Sequence, residues 1–201
     1  MLILEQKVQQ QNIPIPSNIV FEEIDGVALP FKGYKEVLNG NLKPEDIMGS
    51  SSIQAAIVYA IGIFIGNNLD RKKYTIVSNE AGLRLDKENN FSNDLAIFHK
   101  NVKLNRHYFN IAPILAIEVD IKADINESPF ATNEDYIITK SQKMLDFGTQ
   151  QVIWILTQSK KIFIVSNDGP WKIVGFDYDI SLLENCVLNM KTLLLNEEIT
   201  I

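Results

Sequence analysis

Residues 114–120 read ILAIEVD, an apolar run rich in β-branched residues that ends in acids, and it predicts a buried strand. Side chains alternate between the two faces of a strand, so Glu118 shares a face with Ile114 and Ala116. A carboxylate at the end of a buried row is costly unless it is paired, hydrogen-bonded or bound to a cation. The stretch therefore predicts a core strand that delivers an acid to a site at its end.

A second acid has the same relation to its strand. In SNDLAIF, residues 92–98, Asp94 shares a face with Ala96 and Phe98. If the two strands are neighbours, Asp94 and Glu118 point toward one place at the edge of a sheet.

The segments on either side predict further strands and helices. Ser50 to Ser52 offer N-caps to a helix over 53–69, and a capping pattern at Thr132 with Gly148 beyond it predicts a helix over 133–147. A terminal helix is expected over 181–195. The segments expected to be extended are 18–24, 34–40, 74–78, 82–86, 93–98, 114–119, 151–157, 160–166 and 171–175.

This order of elements predicts an α/β or α+β layered domain, a mixed β-sheet flanked by helices. The chain has 201 residues, 46% of them hydrophobic, and shows no repeat or linker. We therefore expect a loosely ordered N-terminal segment over 1–18 and a single domain over 19–201.

The helix predicted over 133–147 carries a lysine on its apolar stripe. Tyr136, Ile137 and Met144 form this stripe at helical spacing, and Lys140 lies inside it. Lys143 is nearer the edge of the stripe, from which its ammonium reaches water more easily. Lys140 is thus the better candidate for a buried ammonium, although lysines beside apolar stripes usually bend into solvent.

Two acids and a lysine that converge at a sheet edge suit metal-assisted hydrolysis of a phosphodiester. Magnesium and manganese ions prefer carboxylate, carbonyl and water oxygens, so Asp94, Glu118 and the backbone carbonyl of Val119 are candidate ligands. Such an ion acidifies a bound water, and a lysine can orient that water or neutralise the transition state. The alternative is that Glu118 reaches solvent at a strand end and Asp94 is an ordinary turn residue.

Composition excludes several other classes of protein. A net charge of −6 disfavours non-specific coating of nucleic acid, and one cysteine with two histidines disfavours a disulfide framework or a zinc site. The most apolar run, 55–65, is too short to cross a membrane, and the N-terminus lacks signal-peptide features, so we expect a cytoplasmic protein without a membrane role. The absence of a glycine-rich phosphate loop and of Gly-x-Ser-x-Gly disfavours the common small-molecule α/β enzymes.

The order of four short segments resembles a known family. They are YKEVLNG at 34–40, SND at 92–94, IEVD at 117–120 and KSQKMLDFGTQQVIW at 140–154. The same order is typical of the Uma-two type of restriction-endonuclease-like proteins, which are abundant in cyanobacteria and belong to the PD-(D/E)XK nuclease superfamily. The resemblance extends from about residue 20 to 165.

The resemblance implies a restriction-endonuclease-like fold and a set of site residues. Asp94 and Glu118 would be metal ligands, and Lys140 the displaced catalytic lysine. Glu36 would be an accessory acid near the metal, with Glu23 in FEEIDG as its rival.

The sequence also departs from the pattern of the superfamily. Asn93 replaces a proline, and Asp120 occupies the position of the usual lysine. The ammonium must therefore come from Lys140, Lys143 or Lys122.

The expected function is that of an endodeoxyribonuclease that uses Mg²⁺ or Mn²⁺ to hydrolyse DNA, and a homodimer would suit a cut through two strands. The alternative is a catalytically inactive module of the same fold that binds DNA or another protein. Magnesium uptake separates the two.

Overall fold

The structure is a computed structural model and describes residues 15–126 and 128–201. Residues 1–14, most of the segment expected to be loosely ordered, lie outside the described residues. None of the helices in the described ranges is long and apolar enough to cross a bilayer.

Ten strands are described. They are β1 (Val20–Ile24), β2 (Val27–Pro30), β3 (Tyr74–Arg84), β4 (Asn90–His99), β5 (Leu115–Val119), β6 (Gln151–Leu156), β7 (Lys161–Ser166), β8 (Lys172–Gly175), β9 (Asp179–Ser181) and β10 (Val187–Asn189).

Five α-helices accompany them. They are α1 (Tyr34–Leu38), α2 (Glu45–Met48), α3 (Ser52–Asn68), α4 (Asn133–Phe147) and α5 (Met190–Asn196), and a 3₁₀ turn covers Ser17–Ile19.

Eight of the strands form one mixed sheet in the order β2-β1-β4-β5-β6-β7-β8, with β3 paired to β4. The pairs are antiparallel except for β5 with β6, which run parallel and are connected through α4. Strand β5 lies between β4 and β6 and is buried along its whole length. The predicted fold class, a mixed sheet flanked by helices, is confirmed.

Alternation along β5 divides the core into two layers. Leu115, Ile117 and Val119 belong to a cluster that includes the inner residues of α3 and α5. Ala116 belongs to the opposite cluster, with Trp154 and the inner residues of α4. Since Glu118 follows Ala116 at a spacing of two, the strand presents this acid to the α4 layer.

The two long helices begin where the sequence predicts. The Ser51 side chain accepts a hydrogen bond from Gln54 N at the start of α3, and the Thr132 side chain accepts one from Asp135 N at the start of α4. Helix α4 ends at Gly148, whose φ of 118° is in the left-handed region that favours glycine.

Three local predictions are wrong. Residues 34–40, expected to be extended, contain α1, and the helix expected over 181–195 is a β9–β10 hairpin followed by the shorter α5. Residues 74–78 and 82–86, expected as two strands, belong largely to the single strand β3, which is interrupted by a bulge between Ser78 and Ala81. At the bulge, Asn79 and Glu80 have positive φ values of 68° and 55°.

Candidate active site

Asp94 lies on β4 beside the end of β5 and is 7% exposed. Its Oδ2 accepts hydrogen bonds from Val119 N at 2.8 Å and from Gln54 Nε2 at 3.4 Å. Its Oδ1 pairs with Lys122 Nζ at 3.1 Å. The carboxylate is thus fixed by β5, by α3 and by the segment that follows β5.

Glu118 lies on the α4 side of β5 and is 4% exposed. Its Oε1 accepts a hydrogen bond from Asn93 Nδ2 at 2.7 Å and contacts Lys140 Nζ at 2.9 Å. Among the described residues no hydrogen bond is made to its Oε2. The predicted contact between this acid and the α4 layer is therefore present, and one oxygen remains available.

Lys140 is fully buried, and a second acid shares its ammonium. Nζ contacts Glu22 Oε1 and donates a hydrogen bond to the Ser92 carbonyl at 3.0 Å. It also lies 5.2 Å from the ring centroid of Trp154 and 5.7 Å from that of Phe91, within the range of cation–π attraction.

Glu22, on β1, was missed by the sequence reasoning. Its Oε1 accepts from Ser92 N at 3.0 Å and its Oε2 accepts from the Tyr136 hydroxyl at 2.7 Å. Within FEEIDG the sequence reasoning considered Glu23. The alternation of strand faces favours Glu22, because it shares a face with Val20 and the buried Ile24.

Burial and charge set the protonation of this cluster. Burial raises the pKa of Glu118 to about 7, and the charges of Asp94 and Glu22 add to this increase although Lys140 opposes it. Burial by itself would lower the pKa of Lys140, but the charges of Glu118 and Glu22 raise it above its usual value. The two directions are compatible because a single ammonium is shared by two carboxylates. The cluster carries more negative charge than its lysine neutralises.

Lys122 joins the strand bulge to Asp94. Its Nζ contacts Glu80 Oε1 at 2.5 Å as well as Asp94 Oδ1. Burial lowers the pKa of Lys122, but the two acids outweigh burial and raise it. The left-handed backbone at Asn79 and Glu80 is uncommon for residues other than glycine, and here it brings Glu80 to the site.

The remaining predicted residues lie elsewhere. Glu36 is exposed on α1, where its Oε2 accepts a hydrogen bond from Asn41 Nδ2 at 2.7 Å. Lys143 pairs with Asp25 at the surface. Asp120 has a φ of 58°, and its side chain accepts hydrogen bonds from N and Oγ1 of Thr157. The structure thus brings Glu22, and not Glu36 or Glu23, to Lys140.

Gln54 is the second residue that the sequence reasoning missed. It is 5% exposed, and its Nε2 donates a hydrogen bond to the Val119 carbonyl at 2.6 Å and a longer one to Asp94. The signal was an amide on the apolar first half of the helix, three and seven residues before the buried Ile57 and Ile61.

The oxygen donors around Asp94 are those that a hard divalent cation uses. The charge of Asp94 raises the pKa of the nearby Glu118, and Gln54 Nε2 joins Asp94 to the Val119 carbonyl. A rotated Gln54 amide would add a further oxygen to these carboxylate and carbonyl oxygens. Their present partners are nitrogen donors, which a cation would have to displace. Among residues 15–126 and 128–201, no group of three or more His, Cys, Asp or Glu side chains is arranged to hold a metal ion. The donor set fits Mg²⁺ in chemistry only if amide and carbonyl oxygens contribute.

Asp94 and Lys122 line an open groove between α3 and the first half of β3, with a volume of about 640 Å³. Glu22, Glu118 and Lys140 do not line it; they lie behind it, buried. Asp94 and Lys122 are thus the members of the site that face this groove.

No family model matches the chain, and no curated protein matches it in sequence. Among solved structures, the chain is similar to one described as "a putative nuclease belonging to DUF820 from Anabaena variabilis ATCC 29413". The TM-score is 0.63 and the identity 14%, over 88% of this chain and 90% of the other. The two proteins therefore share a fold.

Proposed function

We propose that this chain hydrolyses DNA phosphodiester bonds with the help of Mg²⁺ or Mn²⁺, at a site formed by Asp94 and Glu118. The observation that carries the proposal is the position of Asp94, which is held by backbone and side chains at the inner wall of an open groove, with the Glu118–Lys140–Glu22 cluster behind it. The shared fold with a protein described as a nuclease supports the same reaction class.

The excess of negative charge in the site supports the binding of a metal ion. The three buried carboxylates of Glu22, Asp94 and Glu118 share two ammonium groups, those of Lys122 and Lys140, and Lys122 also pairs with the partly exposed Glu80. A buried excess of negative charge is unfavourable, and the binding of one divalent cation would remove it.

Each residue has a role in this scheme. Asp94, Glu118 and the Val119 carbonyl would hold the ion, with Gln54 rotating to offer its oxygen. The bound ion supplies an acidified water and stabilises charge on the phosphate. Lys122, at the groove, is placed to contact a phosphate oxygen.

The buried Lys140 holds Glu118 and Glu22 in position. The sequence analysis assigned the catalytic ammonium to Lys140. That role stays a prediction, and the burial of Lys140 favours Lys122.

A cleavage assay tests the proposal. Labelled single-stranded and duplex DNA are incubated with the protein and Mg²⁺ or Mn²⁺, and the wild type should cut at least one of them. Asp94→Ala and Glu118→Ala should each lower the rate at least about a hundredfold, because a metal ion supplies several kcal/mol of transition-state stabilisation. Glu36→Ala, on the exposed α1, is the matched control and should cut like the wild type. A wild type that cuts nothing, or alanine variants that cut normally, would exclude the enzyme.

A second candidate is a non-catalytic module of the same fold that binds DNA or protein. It is favoured by the nitrogen donors that now occupy Asp94, the Val119 carbonyl and one oxygen of Glu118. Calorimetric titration with Mg²⁺ separates the two candidates, since a module needs no metal. Homodimerisation stays a prediction, and sedimentation would measure it.

A further inference from the structure

The groove between α3 and β3, called here the α3/β3 groove, is lined by residues from both elements. Its β wall consists of residues 74–80, of which the regular part, 74–78, extends about 13 Å at a rise of about 3.3 Å per residue and is followed by the bulge at Asn79 and Glu80. Its helical wall is formed by the exposed side of α3, including Tyr59, Gly62 and Gly66. The groove is therefore a channel along the edge of the sheet, with Asp94 at one end.

The other end of the α3/β3 groove is basic. Arg71 and Lys100 are exposed and line it near Tyr74, which pairs with His99 where β3 begins and β4 ends. Within the part of the chain that the structure describes, neither cation forms an ion pair. Residues 70–110 contain eight Lys or Arg against five Asp or Glu, whereas the whole chain contains 19 against 25. Of these eight cations, Arg71 and Lys100 line the groove, whereas the acids of the groove, Glu80 and Asp94, lie at its opposite end beside Lys122.

An aromatic ring lies between the two ends. Tyr59 is 70% exposed on the helical wall, although a ring of this size is usually at least half buried. Channels that bind single-stranded nucleic acid combine cations for the phosphates with exposed aromatic rings on which bases stack. The α3/β3 groove has both features.

The volume of the groove can hold part of a single strand. About 640 Å³ is in the range of pockets that enclose small ligands, which corresponds to a few nucleotides. The channel is open at Gly66, where an added Cβ would meet no atom within 4 Å. A glycine inside a helix is normally unfavourable relative to alanine, so its presence here needs another reason, and an unobstructed channel supplies one.

We propose that the α3/β3 groove binds a single strand of DNA, with one phosphate at Lys122 and a later phosphate at Arg71 and Lys100. This inference rests on the proposed function and specifies the form of the substrate. A single strand, or the frayed end of a duplex, enters the channel, whereas an intact duplex does not.

Fluorescence anisotropy with a labelled short oligodeoxynucleotide, in EDTA so that no cleavage occurs, tests the inference. The wild type should bind the single strand at least tenfold more tightly than a blunt duplex of the same sequence. Arg71→Glu/Lys100→Glu should weaken single-strand binding at least tenfold and reduce its salt dependence, because fewer phosphates are neutralised. Lys161→Glu/Lys172→Glu, an equal change of charge at β7 and β8 near the opposite edge of the sheet, should bind like the wild type.

A second pair of variants tests the shape of the channel. Gly66→Leu should fill the channel and weaken single-strand binding at least tenfold, whereas Gly66→Ala should retain it; circular dichroism checks that both variants are folded. Equal binding of single strand and duplex, no single-strand binding, or normal binding by Arg71→Glu/Lys100→Glu would overturn the inference. The last result would favour an extended peptide as the occupant.

The two proposals fail separately. Metal-dependent cleavage of duplex DNA without single-strand binding would leave the proposed function standing and exclude the channel. Single-strand binding that depends on the groove, without cleavage in the presence of Mg²⁺ or Mn²⁺, would support the channel and exclude the proposed function.

Discussion

At the scale of single residues, Lys140 is the centre of the buried cluster. Its ammonium partly neutralises the negative charges of Glu118 and Glu22, which are buried away from water. The pKa of Glu118, at about 7, lies above its ordinary value of 4.5 in spite of this lysine. An acid whose pKa is raised by folding contributes most stability below its unfolded pKa, and this contribution is lost as the pH rises from about 4.5 to about 7.

Replacement of Lys140 should destabilise the protein, and the size of the effect should depend on pH. Lys140→Met should lower the free energy of unfolding by about 3–5 kcal/mol above neutral pH, because two buried carboxylates lose their shared counter-charge. The loss should be smaller near pH 5, where Glu118 is protonated in the folded protein. Urea unfolding followed by circular dichroism at the two pH values measures both quantities.

Lys143→Met is the matched control, three residues away on the same helix. Its partner Asp25 has a side chain that is 63% exposed, so the pair is screened by water and its loss should cost less than about 1 kcal/mol. Equal losses for the two variants, or a larger loss for Lys140→Met at low pH, would contradict the assigned electrostatics.

Sequence reasoning recovered the buried acids and Lys140 but missed their neighbours. Glu118 ends an apolar row, Asp94 begins one, and Lys140 lies inside one, so all three can be recognised in the sequence. Glu22 also shares a face with apolar residues, but the resemblance directed attention to Glu36 and Glu23 instead. Gln54 was missed because an uncharged amide in a helix carries little signal, even though the structure gives it a contact with the Val119 carbonyl.

At the scale of elements, the residues that cap helices predicted the structure more reliably than the spacing of apolar residues did. The N-caps of α3 and α4 and the glycine that ends α4 are local chemistry, so the sequence predicted their positions to within about one residue. The prediction of a helix over 181–195 was wrong because Leu182, Cys186 and Met190 follow one another at intervals of four residues, which is typical of a helix. In the structure this spacing includes a turn between β9 and β10, with Glu184 at a φ of 53°.

The five-residue α1 could not have been found from its pattern. Only Tyr34 is buried in it, and a single buried residue cannot show the spacing of apolar residues that is typical of a helix. Its left-handed preceding residue, Gly33, and the surrounding tertiary contacts decide its conformation instead. The bulge in β3 was hidden for a related reason, since Ser78, Asn79 and Glu80 have the composition of a turn.

The cap of α4 provides a prediction at this scale. Thr132→Ala should lower the free energy of unfolding by about 1 kcal/mol, because the Asp135 amide loses its side-chain acceptor. Thr132→Ser keeps the hydroxyl and should stay within about 0.5 kcal/mol of the wild type. Chemical denaturation of the three proteins is the measurement, and an alanine variant as stable as the serine variant would show that the cap is dispensable.

At the scale of the whole molecule, the site is assembled from five elements. Strand β1 supplies Glu22, α3 supplies Gln54, β4 and β5 supply the two acids of the proposed metal site, and α4 supplies the lysine. The sequence predicted the layers but not the order of strands, because strand pairing depends on contacts far apart in the chain. That β1 and β5 both pair with β4 has no local signal.

A ligand that joins so many elements should stabilise all of them. If Mg²⁺ binds as proposed, a hundredfold excess over its Kd should add about 3 kcal/mol to the free energy of unfolding and raise Tm by several degrees. Scanning calorimetry with Mg²⁺ and with EDTA measures the shift. The variant Asp94→Asn/Glu118→Gln should show none, and a shift of equal size in that variant would place the ion elsewhere.

The parallel pairing of β5 with β6 has a consequence for the order of assembly. Helix α4 fills the connection between these strands, so Lys140 follows all of the acids that surround it along the chain. Since a ribosome releases the N-terminal part first, Glu22, Asp94 and Glu118 emerge before their shared counter-charge. These acids must stay hydrated in the nascent chain, and the centre of the molecule can close only after α4 has been synthesised.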